Sequence, residues 1–222
     1  MSRNKSESGD LSSSGRAIRK VTPGPLAHHT SVVFRDYMYL FGGTNCSKEN
    51  RYFFRLNLEN FRWEVIEEFG KNHKVQPRDG HSACLSEEHH SMIVFGGFVA
   101  GERCNQFIIY SFKRSNWQVI TYQEGQKVPC PRNGHSACIY GNFMYIFGGR
   151  ANDNVKLNDT WKINLSSLDW EKVYYENEAP IERMGHSCDI IGKYMFIYGG
   201  INEITKEQND MHALDLETNK WF

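Results

Sequence analysis

The sequence predicts an all-β protein assembled from four copies of one antiparallel four-stranded sheet, and three observations carry that reading. Composition is the first: 14 Phe, 11 Tyr and 5 Trp accompany 19 Gly and only 6 Pro among 222 residues, the balance of aromatic-rich strands separated by glycine turns. The second is a repeated dipeptide. Gly-Gly falls at 42/43, 96/97, 148/149 and 199/200, at intervals of 54, 52 and 51 residues, and each pair ends an aromatic-apolar run: YMYLFGG, SMIVFGG, FMYIFGG and YMFIYGG. Two further landmarks keep step with it, which is the third observation. His29, His81, His135 and His186 precede the pairs by 13, 15, 13 and 13 residues, and Trp63, Trp117, Trp170 and Trp221 follow the second glycine by 20, 20, 21 and 21. Three landmarks that hold their spacing through four units mark an internal repeat.

Within a unit the pattern is that of short strands. In the second unit these run from His81 to Leu85, Met92 to Phe95, Gln106 to Phe112 and Trp117 to Tyr122, each bounded by turn-forming residues. The first and second strands are joined by short polar turns (Arg35-Asp36, Ser86 to His90, Tyr140 to Asn142, Ile191 to Lys193), as are the third and fourth (Glu59 to Arg62, Lys113 to Asn116, Ser166 to Asp169, Glu217 to Lys220). Long connections follow each glycine pair, at 44–51, 98–105, 150–157 and 201–208, and link the units at 67–77, 123–131 and 175–182. An antiparallel path reverses at each turn, so long and short connections alternate between the two ends of the sheet and every long loop falls on one face.

A sheet with apolar side chains on both faces is not stable alone; copies bury those faces by stacking around an axis, as in a β-propeller. The strings RDGHSAC, RNGHSAC and RMGHSC, the aromatic run into Gly-Gly and the later Trp together resemble the Kelch repeat, whose units are propeller blades. The resemblance covers residues 25–222, with blades at about 25–77, 78–131, 132–182 and 183–222. Unit one departs from it, with Leu26-Ala27-His28-His29-Thr30 at the Arg-x-Gly-His-Ser position, and unit two has Ser111 where the others have Asn57, Asn164 and Asp215. The resemblance implies a protein-interaction module that recognises a partner protein or peptide, in the manner of substrate adaptors and cytoskeletal scaffolds.

Charge and composition bound the function. Lys+Arg and Asp+Glu each total 26, giving a formal net charge of zero, so nothing in the balance argues for nucleic acid or an anionic membrane and neither is expected as partner. No apolar run approaches the roughly 20 residues of a membrane span. The N-terminal MSRNKSESGDLSSSGR has no apolar leader, so a cytoplasmic location is expected, with the six cysteines as thiols. Residues 1–24 are serine-rich and basic, too polar to build a core, and are expected to form a flexible tail.

No GxSxG, HExxH or P-loop motif is present, and no catalytic or cofactor-binding residue is assigned; the competing reading is an enzyme whose site is assembled from several blades at the channel mouth. His81, His135 and His186 lie near Cys84, Cys138 and Cys188, the residue types of a zinc site, but a residue repeated once per blade is spread around the axis, so structural hydrogen bonding is expected and no metal. The glycine pairs are expected to take positive φ, and the tryptophans to fill the gaps between sheets. The informative residues are the unrepeated ones. TNCSKENR, FVAGERCN, RANDNVKL and INEITKEQ follow the glycine pairs and place Arg51, Arg103 and Arg150 on the long-loop face, with Arg78, Arg132 and Arg183 at the strand entrances beside them. Guanidinium groups bind carboxylates through two parallel hydrogen bonds, so an acidic peptide is one reading of these six. In the other, the periodic three brace neighbouring loops and the rest pair with Glu49, Glu102 and Asp153.

The fourth unit reaches Trp221-Phe222 where the others continue through WEVIEEF, WQVITYQ and WEKVYYE. The expectation is an open arc of four blades with an exposed apolar sheet face that drives association, further blades C-terminal to this chain, and residues 15–21 as the alternative closing strand.

Overall fold

The structure, a computed structural model, describes residues 22–222 apart from 47, 71–72 and 205. The segment 15–21, weighed as a closing strand, lies outside the described residues, as does the expected tail up to residue 21. What is described is an all-β propeller of four antiparallel blades, with a single 3-10 turn at Asn152–Asn154 as its only helical element among the described residues. Blade 1 comprises Thr30–Phe34, Tyr37–Phe41, Tyr52–Asn57 and Trp63–Glu68. Blade 2 comprises Ser82–Ser86, Ser91–Phe95, Phe107–Ser111 and Asn116–Ile120. In blade 3 the strands are Ser136–Tyr140, Phe143–Ala151, Lys156–Asn164 and Trp170–Val173; in blade 4, Ser187–Ile191, Tyr194–Tyr198, Met211–Asp215 and Lys220–Trp221. Strands pair in chain order, and the first strands of successive blades lie against one another at the axis.

Both faces of a central strand are covered, which is why the run before each glycine pair is apolar throughout rather than alternating with polar residues. In Ser91–Phe95, Met92 and Val94 join the core shared with blade 1, while Ile93 and Phe95 join the core shared with blade 3. A third core lies between blades 3 and 4. Trp117, Trp170 and Trp221 each sit in one of these seams, as expected of a repeated indole. The tight turns are held by side-chain caps: Asn57, Asn164 and Asp215 each accept hydrogen bonds from two amides that follow, and Ser111 accepts one from Arg114. The departure at residue 111 therefore keeps the function of the position.

Two repeated features close the seams. Both glycines of each pair have positive φ; the first lies against the next blade in blades 1 to 3, where a Cβ on Gly96 falls 2.7 Å from the Arg132 carbonyl, and the second lies against the entrance to its own blade's first strand, where a Cβ on Gly97 falls 2.6 Å from the Asp79 carbonyl. The histidines are the second. Nε2 of His81, His135 and His186 bonds the hydroxyl of Thr30, Ser82 and Ser136 on the preceding blade, at 2.6, 2.8 and 2.8 Å, so the periodic His makes the structural hydrogen bond expected of it, and makes it across the seam. Their Nδ1 atoms are buried without a hydrogen bond of good geometry. Burial first, and the neighbouring Arg132 or Arg183 guanidinium second, hold His135 down to about 3 and His186 to about 4; the same two causes, with Arg78, depress His81.

Two outcomes are expected. Replacing Gly96 and Gly97 together by Val abolishes the cooperative thermal transition, because β-branched residues are excluded from these angles and the Cβ atoms meet backbone; a melt like the wild type's would remove the glycines from the seam. The histidines make stability pH-dependent. An unfolded imidazole titrates near 6.5, above the folded values, so protons bind the unfolded chain first. The contribution of the neutral rings is complete above about pH 6.5 and is lost as pH falls through that value toward the folded pKa values. The urea midpoint at about pH 5 is therefore expected below that at about pH 7.5, with the difference shrinking in His135→Gln.

Candidate functional site

The six arginines divide into two groups. Arg78, Arg132 and Arg183 are 0% exposed, with every guanidinium engaged inside the protein. Each bonds the carbonyl of the first glycine of its own blade's pair (Gly96, Gly148, Gly199) at 3.2, 3.0 and 2.9 Å, and Nε reaches the carbonyl two residues upstream. Opposite them stand three residues at one repeated position, 11 before the Trp: Gln106, Asp159 and Asp210. Asp159 and Asp210 each take two bonds from their arginine, at 2.7 and 2.9 Å and at 2.6 and 2.9 Å. Burial alone raises the Asp159 carboxyl, but the Arg132 hydrogen bonds and charge overturn this and hold it below the usual range; the Arg183 bond does the same for Asp210. These three arginines tie the unit linker to the glycine corner, the bracing role weighed for them. They present no donor to a partner. Sequence spacing carried a signal for the carboxylates, since both keep step with the Trp. In blade 1 both members change together, to Leu26 and Tyr52.

Arg51, Arg103 and Arg150 lie on the long-loop face. Residues read as irregular loops fold there into two-stranded hairpins, Thr44–Asn45 with Lys48–Glu49, Phe98–Val99 with Glu102–Arg103, and Ile201–Glu203 with Lys206–Glu207. Blade 3 instead extends its own central strands through Ala151 and from Lys156. Each hairpin is anchored through the residue two before the repeated His, in the bridges Ala27 to Thr44, Asp79 to Phe98 and Met184 to Ile201, and Asn133 pairs with Arg150 in the same way. Anchoring of this kind makes a rigid rim of otherwise unrelated sequences.

The structure brings Arg103 and Arg150 together and leaves Arg51 apart. Arg51 is exposed and bonds Glu68 at 2.6 Å, not Glu49 as weighed from sequence. The Arg103 guanidinium lies 4.8 Å from the Phe98 ring centroid, with Nε on Asn133 Oδ1 at 2.8 Å and a terminal nitrogen on Asn154 Oδ1 at 3.2 Å. Burial, then repulsion from Arg150, pull Arg103 below the usual arginine range, opposed by Glu102. Arg150 Nε is buried without a hydrogen-bond partner. The result is a half-buried cationic corner between blades 2 and 3, short of an acceptor. Asn133 and Asn154 carried no sequence signal, since Asn133 stands at the variable position of the Arg-x-Gly-His string and Asn154 in an unrepeated loop. Among the described residues no group of three or more His, Cys, Asp or Glu is arranged to hold a metal ion, and no helix is long and apolar enough to cross a membrane.

A ring of repeated sheets with a rigid rim of unrepeated loops defines a repeat propeller of the interaction-module class. The chain belongs to the Kelch-repeat family: residues 28–222 match the family described as the KLHDC2/KLHL20/DRC7 Kelch-repeats domain. Similar proteins include Kelch domain-containing protein 3 of Homo sapiens, 28% identical over 89% of this chain and 56% of that protein, and an F-box/kelch-repeat protein of Arabidopsis thaliana, 28% identical over 91% and 46%. The Rho GTPase-activating protein gacHH of Dictyostelium discoideum is 36% identical over 64% of this chain and 10% of its own length. The chain thus spans from a tenth to about half of these relatives.

The braces yield a graded expectation. Arg132→Met leaves the Asp159 carboxylate buried without its cation and costs about 3–5 kcal/mol, while Arg78→Met leaves only the neutral Gln106 amide and costs distinctly less in urea unfolding. Equal losses would show that the carboxylates add nothing to the brace.

Proposed function

We propose that this Kelch propeller is a binding module without chemistry of its own, and that its long-loop face takes an acidic segment of a partner protein at the corner formed by Arg103 and Arg150, with Arg51 at its edge. The observation that carries this reading is the juxtaposition of two guanidinium groups, one of them with a buried unpartnered Nε, in a chain with no net charge. A carboxylate placed there satisfies the open donor, relieves the repulsion between the two cations and uses the planar fork that arginine presents. Arg103 is already held in place by Phe98, Asn133 and Asn154, so little side-chain freedom is lost on binding. Kelch-repeat relatives point the same way, toward interaction rather than catalysis, and an adaptor or scaffold role within a cytoplasmic assembly accords with the F-box/kelch-repeat relative.

The test is fluorescence anisotropy with a labelled glutamate-rich peptide, a lysine-rich peptide serving as control. The acidic peptide is expected to bind the wild type with an affinity that falls as salt rises. Arg103→Glu with Arg150→Glu removes binding at an unchanged melting temperature, Arg51→Glu weakens it, and Lys113→Glu with Arg114→Glu on the short-turn face leaves it intact. Equal losses from both faces, or equal binding of the two peptides, would overturn the assignment.

A further inference from the structure

Every blade carries the same short row of paired residues at the rim, and the chemistry of the row changes from blade to blade. The residue two before the repeated His pairs with the residue after the glycine pair, and that residue pairs with one on the returning strand. In blade 1 the row is Ala27, Thr44 and Glu49, and in blade 4 it is Met184, Ile201 and Glu207. In blade 2 it is Asp79, Phe98 and Arg103, and in blade 3 Asn133, Arg150 and Lys156. The rows of blades 1 and 4 therefore end in an acid, and those of the neighbouring blades 2 and 3 end in a base.

Side chains at paired positions leave a sheet on the same face, about 5 Å apart, so Asn133, Arg150 and Lys156 stand side by side. Arg103 crosses from the blade 2 row onto this one, its guanidinium against the Phe98 ring and its Nε on Asn133 Oδ1 at 2.8 Å. The corner thus gathers three cations, Arg103, Arg150 and Lys156. Among the described residues none of them makes an ion pair, and Arg150 and Lys156 make no side-chain hydrogen bond. The hydrogen bonds of Arg103 go to the neutral amides of Asn133 and Asn154 and leave one terminal nitrogen open. The nearby acids are engaged otherwise. Glu102 acts on Arg103 by charge without a bond, the half-buried Asp79 carboxyl answers to the charge of His28, and Glu49 takes the Ala100 amide at 3.1 Å.

We propose that this corner selects a phosphorylated side chain over an acidic one, the phosphate of the partner segment lying between Arg103, Arg150 and Lys156. The inference rests on the binding corner proposed above and specifies its ligand. One carboxylate neutralises one of three cations and offers two oxygens in a plane, enough for a single guanidinium. A phosphate monoester carries a charge of about −2 at neutral pH and three terminal oxygens set tetrahedrally, which reach donors on both sides of the gap between two blades. Lys156 is then a specificity residue, since it supplies the cation that a carboxylate leaves unmatched. Binding of the partner is switched on by its phosphorylation.

The experiment measures fluorescence anisotropy of the full chain with labelled peptides that differ at one central position, phosphoserine, glutamate or serine, in an uncharged frame, alongside the glutamate-rich peptide. The phosphoserine peptide is expected to bind at least about tenfold more tightly than its glutamate counterpart, the worth of one further charge-assisted hydrogen bond, and the serine peptide not to bind. Lys156→Gln and Arg150→Gln, each with the wild-type melt, are expected to remove most of that preference, and Lys113→Gln on the short-turn face to leave it. Free O-phosphoserine is expected to displace the bound phosphopeptide from the wild type at concentrations where free glutamate does not, a readout that needs no variant. A phosphoserine peptide that binds no better than the glutamate one, while the glutamate-rich peptide binds, overturns this proposal and leaves the acidic corner standing. Binding of the phosphopeptide without binding of the glutamate-rich one supports the proposal and removes the carboxylate reading, and binding of neither overturns both. A preference undiminished in Lys156→Gln and Arg150→Gln, or no displacement by O-phosphoserine, also overturns it.

Discussion

Each sheet of this protein is apolar on both sides, and the seam with the next blade is the only means by which it buries them. The seam works because a large aromatic, a neutral imidazole and an indole meet beside a glycine corner that lets two backbones approach within hydrogen-bond distance. Each part constrains the others. The imidazole has to stay uncharged, since it is buried next to an arginine, and the glycines have to lack a side chain, since the histidine and the preceding carbonyl occupy that space. Repeat stability is then a sum over seams, which is why the same few residue types recur at the same spacing.

The buried arginines follow from the same geometry. The chain enters each first strand from a long linker that would otherwise leave the glycine corner's carbonyls without donors, and the guanidinium supplies several donors from one side chain. Burying a cation is costly, and blades 3 and 4 offset it with a carboxylate that keeps step with the tryptophan, whereas blade 2 uses an amide. With the corner and the linker locked, the residues between them are released from any structural duty. That release is what permits unrelated hairpins on one rim, and it separates the repeated residues of the fold, inside, from the unrepeated residues of the rim, outside.

A chain with no net charge directs an ionic partner only through local placement, and the corner of Arg103 and Arg150 is the placement proposed for one. It lies where a hairpin of blade 2 meets the extended central strands of blade 3, the one repeat whose loop is built differently. The short-turn face, by contrast, is built of tight capped turns whose residues are spent on the turns themselves.

Periodicity in the sequence determined the blade count, the strand order, the position of every short turn, the structural role of glycine and histidine and the place of tryptophan between sheets. Each of these is a local or a repeated constraint, and a repeat displays its constraints four times over. The hairpins inside the long loops were not legible, because two-residue strands such as Phe98–Val99 exist only by pairing with each other and by a bridge to a residue near the axis. The division of the six arginines was also beyond the sequence. Arg78 and Arg103 are the same residue type in the same kind of polar stretch, and only the packing of a linker over one and the gap between two blades beside the other decide which is fully buried and which reaches the rim. Burial and proximity between blades are properties of three-dimensional distance, and residues as far apart in the chain as Arg103 and Asn154 acquire them only when the sheets stack.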